Sequence, residues 1–142
     1  MFDYKYRMTL ARQTTFDDMG MPLSEVTFCV LDLETTGGSP QQCEITEMGG
    51  ARYRLGQEIG SFQTLVNPGS PIPPFITILT GITQAMVVEA PQVDAALPAF
   101  LEFIGDAVVV GHNIRFDMSF LAAAARRLGY PPLTNRTVDT VA

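Results

Sequence analysis

Two acidic side chains, Asp32 and Glu34, stand two positions apart at the end of the run Phe28-Cys29-Val30-Leu31-Asp32-Leu33-Glu34-Thr35-Thr36-Gly37. The residues before them are apolar and in part β-branched, the composition of a central strand covered on both faces. Side chains alternate across a strand, so the two carboxylates share one face, with Cα atoms roughly 7 Å apart. Two like charges on one face raise each other's proton affinity. A divalent cation removes that repulsion, so the pair reads as half of a metal site.

A second polar group follows another apolar run, where Ala107–Val110 leads into Gly111-His112-Asn113-Ile114-Arg115-Phe116-Asp117. With a helix beginning there, Asp117 lies one turn beyond Asn113, and both can face the top of a sheet beside the first strand. A plainer reading makes Asn113 a helix N-cap and Asp117 a first-turn acid favoured by the helix dipole. Three convergent carboxylates, Asp32, Glu34 and Asp117, favour the metal reading.

These residues need a scaffold, and the chain supplies one from Val26 onward. Residues 1–24 are polar, mixed in charge and without sustained periodicity, and read as an N-terminal extension ahead of a domain over 25–142. Val26–Glu34, Ile45–Leu55 and Glu58–Val66 read as strands, the last two joined by the hairpin turn Leu55-Gly56-Gln57. Asn67–Pro74 is an extended connector, followed by short helical pieces at Ile76–Leu79 and Thr83–Val88. Pro91 opens a helix to Ile104 with Pro98 as an irregularity, and Ala107–Gly111 is a fourth strand. Ile114–Leu128 is a helix with Phe116, Phe120, Leu121 and Ala124 on a connected face, ended by Gly129 and Pro131. Thr137–Val141 begins either a fifth strand or the next helix. A three-strand meander followed by helix, strand and helix predicts an α/β fold with a mixed sheet.

Composition sets outer bounds. With 142 residues and 46% apolar content the chain can bury the core of one domain and is not a disordered segment. A net charge of −6 excludes attraction to nucleic acid through a generally basic surface. It does not exclude a metal-dependent nuclease, whose own carboxylates add to the negative count. The apolar runs are too short to span a bilayer, and no apolar stretch follows residues 1–7, so neither a membrane anchor nor a signal peptide is expected. Cys29 in a strand and Cys43 in a polar loop are expected as reduced thiols of a cytoplasmic protein.

The motifs together resemble those of a known family. Asp32-Leu33-Glu34-Thr35-Thr36-Gly37 is similar to the first exonuclease motif of the DnaQ-like (DEDDh) 3′–5′ exonucleases, a group that includes the proofreading epsilon subunit of bacterial DNA polymerase III. Leu79-Thr80-Gly81-Ile82-Thr83 resembles a loop recurrent in the polymerase III branch, and His112-Asn113 through Phe116-Asp117 resembles the second motif. The three occur in the family's order, over Val26 to Ala142. The resemblance implies a ribonuclease H-like mixed sheet, an antiparallel three-strand meander plus parallel strands flanked by helices. It also implies two Mg²⁺ or Mn²⁺ ions held by four acids. Asp32 would touch both ions, Glu34 the one beside the attacking water, and Asp117 the other. Backbone groups near Thr35 and Thr36 become candidates for the substrate's 3′ hydroxyl, with Gly37 permitting close approach. Asn113 joins the substrate side of the site, and Phe116 is either a stacking platform or a core residue. Glu47 matches a recurrent family acid and is expected to support the site rather than ligate. Implied partners are a single-stranded or frayed 3′ end, and a DNA polymerase or a fused repair module.

One departure stands beside these matches. The family's third motif supplies a general-base His and, five positions later, the fourth acidic ligand, whereas the single histidine of this sequence, His112, belongs to the second motif. His112 is expected to make a strand-end hydrogen bond, and Asp139 in Val138-Asp139-Thr140 to act as a cap. The domain is therefore expected to be C-terminally incomplete, the parent being a free-standing exonuclease or the N-terminal part of a larger replication or repair protein. Two other classes compete: a non-catalytic nucleic-acid or polymerase-binding module on the same fold, and a generic α/β domain with incidental acids. The expectation for the 142 residues alone is little or no Mg²⁺- or Mn²⁺-dependent digestion from a 3′ end. Measurable digestion, abolished by Asp32→Ala, would overturn it.

Overall fold

The computed structural model describes residues 20–141. The expected extension therefore falls mostly on residues 1–19, outside the described residues; within its remainder, Leu23–Glu25 forms one 3₁₀ turn.

The apolar run after that turn becomes β1, Phe28–Thr35. Cys29, Leu31 and Leu33 are buried on one face, while Asp32 is exposed on the other. β2 (Ile45–Arg54) runs antiparallel to β1, with a bulge between Glu34 and Thr35, and β3 (Gln57–Leu65) runs antiparallel to β2. β4 (Val108–Gly111) lies on the other side of β1 in parallel, and β5 (Thr137–Asp139) extends that parallel half. The order β3-β2-β1-β4-β5 puts β1 at the centre. This is the ribonuclease H-like mixed sheet expected from the sequence, and the element at Thr137 is a strand rather than a helix.

The helices are α1 (Pro74–Thr80), α2 (Gln84–Val87), α3 (Val93–Ile104) and α4 (Ile114–Leu128). α3 starts two residues later than Pro91 led us to expect, with Gln92 at its N-cap, and it passes through Pro98 unbroken. Its buried residues Ala96, Leu97, Phe100 and Ile104 form one stripe, and α4 buries Ile114, Phe120, Leu121, Ala124 and Ala125. Both stripes join Cys29, Leu31, Leu33 and Met48 in the main core, where the Phe62 ring lies 5.1 Å from that of Phe100. A smaller cluster of Val26, Phe28, Val108, Val110 and Val138 is separate from it. β4 is buried along its whole length, as a parallel strand with both faces covered requires.

Both cysteines are free thiols. No helix among the described residues is long and apolar enough to cross a membrane.

The β2–β3 hairpin closes through Leu55 (φ 54°) and Gly56 (φ 76°), two left-handed residues flanked by the Arg54↔Gln57 pair. That is a type I′ turn, which matches the twist of the strands but favours Asn or Gly at its first central position. Leu55 is 72% exposed, so little packing offsets its left-handed backbone. Leu55→Asn is expected to stabilise the domain by about 1 kcal/mol; thermal denaturation checks this, and an unchanged or lower midpoint counts against it.

Candidate active site

The parallel ladder between β1 and β4 ends at Val30↔Val110, while β1 continues to Thr35. On that side the Leu33 amide has outrun its strand partner. It donates instead to Asp117 Oδ1 at 3.0 Å, a buried hydrogen bond between residues 84 positions apart. An unpaired amide at this depth would be costly, and the carboxylate replaces the missing strand. Asp117 is 2% exposed and falls on the apolar stripe of α4 with Ile114, Leu121 and Ala124.

Local sequence explains how Asp117 arrives there. Gly111 ends β4 where a Cβ would stand 3.1 Å from the Leu31 carbonyl oxygen and 2.6 Å from Ile114 Cδ1. Only the smallest residue lets the chain turn this close to β1. Asn113 follows in a left-handed conformation (φ 57°, ψ 50°), which Asn tolerates better than most residues. Helix α4 then begins at Ile114, with Asp117 on its first turn.

Asp32 and Glu34 lie on the face of β1 away from the main core. Across β2 the register places Gly49 opposite Asp32 and Glu47 opposite Glu34. Glu47 Oε2 accepts from Gln63 Nε2 at 2.8 Å. Burial, then the charges of Asp32 and Glu47, hold Glu34 above the usual carboxylate range. Burial likewise pushes Asp117 up to about 6; the Leu33 hydrogen bond opposes this, and Asp32 and Glu34 add to it. These carboxylates therefore form one electrostatic neighbourhood at the end of the central strand. Gln63 is the member that sequence reasoning missed, since only the β2–β3 register brings it beside Glu47.

The remaining expected residues surround this group. Thr35 and Thr36 are each 7% exposed. Thr35 Oγ1 donates to the Gly37 carbonyl at 2.7 Å, and Thr36 exchanges two bonds with Glu44: its amide donates to the Glu44 carbonyl (2.8 Å) and its Oγ1 accepts from the Glu44 amide (3.0 Å). The Thr36 amide is thus already committed. Gly37 is approached by its own chain, since a Cβ there would meet Cys43 Sγ at 2.7 Å. Asn113 sits at the N-cap position of α4 but its side chain makes no capping bond. Phe116 is half-buried against the main core, its ring 5.0 Å from that of Phe120. His112 makes the strand-end bond expected of it, Nδ1 to Thr140 Oγ1 at 3.2 Å. Asp139 is a cap, but of the distant α4: its Oδ1 accepts from the Asn113 amide as well as from Val141.

The donors here are hard carboxylate oxygens, the kind that suits Mg²⁺ or Mn²⁺. Their mutual repulsion is what a bound cation relieves. Among the described residues, no group of three or more His, Cys, Asp or Glu side chains is already arranged as a metal-holding cluster. One oxygen of Asp117 is turned to Leu33. The residues fit a hard divalent cation in chemistry and charge, while the ligand sphere itself is not pre-assembled.

A central strand ending in acids, with a further acid brought in by the helix after the adjacent parallel strand, defines a nuclease-type ribonuclease H-like domain. Residues 29–142 match the family model described as Exonuclease (RNase_T). The chain belongs to this family of DnaQ-like 3′–5′ exonucleases. It is 54% identical over 114 residues to a Mycobacterium tuberculosis protein named as a bifunctional exonuclease/endonuclease, covering 75% of this chain and 18% of that protein. Against a PolC-type DNA polymerase III of Caldanaerobacter subterraneus it is 45% identical over 114 residues, 80% of this chain and 8% of the polymerase. It thus spans less than a fifth of the length of these relatives. A crystal structure of Escherichia coli exonuclease I with a dT13 oligonucleotide shares the fold, with a TM-score of 0.74 at 21% identity over 81% of this chain and 28% of that one.

The position of Asp117 carries a thermodynamic consequence. Its pKa is raised from 3.8 to about 6, so the folded state takes up this proton before the unfolded state does. The stability cost is absent below the unfolded value, grows as pH rises between the two, and is complete above the folded one, on the order of 2–3 kcal/mol. Asp117→Asn keeps a carbonyl for the Leu33 amide and removes the charge. In chelator-containing buffer it is expected to be more stable than the parent at pH 7.5, with the difference closing toward pH 4. Denaturant unfolding at several pH values tests this, and equal stability at pH 7.5 would refute it.

Proposed function

We propose that this domain hydrolyses phosphodiester bonds at nucleic-acid 3′ ends, releasing nucleotides in the 3′ to 5′ direction, with single-stranded or frayed DNA as the substrate. The observation that carries the proposal is the bond from the Leu33 amide to Asp117, which sets a third carboxylate beside the strand that bears Asp32 and Glu34. In this reading Asp32, Glu34 and Asp117 hold two Mg²⁺ or Mn²⁺ ions. When bound, such ions activate the attacking water and stabilise the leaving 3′ oxygen.

The protein's own contribution is placement. Asp32 and Glu34 are fixed by strand pairing to β2, and Asp117 by the Leu33 amide. The Thr35–Gly37 backbone receives the terminal nucleotide; with the Thr36 amide bonded to Glu44, neighbouring groups of that loop meet the 3′ hydroxyl. The exposed Asn113 orients the substrate, and the half-buried Phe116 ring offers a surface for a base. Glu47, held by Gln63, adds negative charge that strengthens the demand for cations.

The choice of DNA rests on the relatives: PolC-type DNA polymerases III, and exonuclease I solved with a DNA oligonucleotide and with an SSB C-terminal segment. The same names support a replicative polymerase or a fused repair module as partner. The two free thiols support a cytoplasmic setting. A nucleic-acid or polymerase-binding module without catalysis, on the same fold, is the competing reading.

Digestion of a 5′-labelled single strand separates the two, using the polypeptide at the full length its gene encodes. We expect shortening from the 3′ end with Mg²⁺ or Mn²⁺, loss on chelation, and a fall on the order of 1,000-fold in Asp32→Ala. Strand binding that persists in chelator without hydrolysis would establish the binding module instead.

A further inference from the structure

We propose that Asp139 is a positioning residue for Asp117, anchoring the start of α4 so that the Asp117 carboxylate reaches the Leu33 amide; this rests on the reading of Asp117 as a site residue. Asp139 ends β5, in register with Gly111 at the end of β4. Its Oδ1 accepts from the Asn113 amide and from the Val141 amide, each at 2.9 Å. Beside it the Thr140 amide donates to the Gly111 carbonyl at 2.9 Å, and His112 Nδ1 meets Thr140 Oγ1 at 3.2 Å. Gly111, His112 and Asn113, the three residues that lead from β4 into α4, are therefore each tied to Asp139 or Thr140.

The need for such an anchor follows from the turn itself. A helix begins with amides that have no partner within it, at the positive end of its dipole. Asn113 occupies the cap position but is left-handed, and its side chain caps nothing. The carboxylate of Asp139 supplies both the acceptor and the charge from another strand. One turn further on, Asp117 Oδ1 lies 3.0 Å from the Leu33 nitrogen. A displacement of the helix start by about 1 Å breaks a bond of that length.

The far end of α4 is held independently. Arg127 Nη1 and Nη2 donate to Glu44 Oε1 and Oε2 at 3.0 and 3.2 Å, and the Glu44 backbone is paired with Thr36. With its start released, α4 remains attached at its end and at its buried stripe. Asp139 is itself exposed, so its loss is expected to move the helix start rather than unfold the domain.

The test uses the 142-residue chain labelled with ¹⁵N. In the parent, the Leu33 amide is expected to resonate downfield and exchange slowly. In Asp139→Ala its signal should move upfield and its exchange should quicken at least tenfold relative to the Cys29 amide on the same strand, with Mn²⁺ affinity falling about tenfold. Asp139→Asn keeps an acceptor oxygen and is expected to restore both. Asp139→Ser retains the short-range bond to Val141 but cannot reach Asn113, so it should behave as Asp139→Ala; it also provides the reading if the alanine variant does not fold. An unchanged Leu33 amide in both Ala and Ser variants would overturn the proposal, as would a loss of protection shared equally by Leu33 and Cys29. The amide signal involves neither metal nor hydrolysis. Absence of Mn²⁺ binding in the parent would therefore count against Asp32, Glu34 and Asp117 as metal ligands while leaving this assignment to be judged on Leu33.

Discussion

One buried hydrogen bond, from the Leu33 amide to Asp117 Oδ1, organises the molecule's chemistry. The central strand is longer than its parallel neighbour, so its last amide on that side has no strand carbonyl to meet. A carboxylate from the next helix fills the gap. The same contact completes the backbone's hydrogen bonding and sets the third acid beside the first two. Its geometry depends on the glycine that ends β4, on a left-handed Asn113, and on a helix held at both ends.

This arrangement has an electrostatic cost in the absence of a counterion. Asp117 and Glu34 are both held above their usual proton affinity by burial and by neighbouring carboxylates. Among the described residues no cation contributes to either shift, and Gln63, which bonds Glu47, is uncharged. A protein that concentrates acids in this way stores a preference for divalent cations. In that sense the site is defined by repulsion as much as by shape.

Much of this was legible in the sequence because it follows short-range periodicities. The two-residue spacing of Asp32 and Glu34 gave their shared face, and the apolar run before them gave the central strand. The boundaries of α4 followed from its apolar stripe and from Gly129. Asp117 carried a further signal that composition alone would miss: it is an acid on the buried stripe of its own helix, which calls for a buried partner. The partner was not legible, because the Leu33 amide is freed by a difference in strand lengths across the sheet. Long-range registers hid the rest. Gln63 meets Glu47 through a hairpin, Cys43 fills the space against Gly37 through a loop, and Asp139 caps a helix 26 residues earlier in the chain. The start of α3 was misplaced by two residues because Pro91 and Gln92 both suit the approach to a helix.

The alternation along β1 divides labour between its two faces. At its C-terminal end, Leu31 and Leu33 point into the core while Asp32 and Glu34 point away from it. On the proposed reading, folding and chemistry therefore make their demands on neighbouring but separate positions of one strand. A lineage can exchange the acids for neutral residues and keep the sheet intact, relieved of the repulsion. Along this strand the packing positions and the acidic ones are therefore separable, and only Asp117, buried on its helix, is asked to serve both the fold and the proposed site.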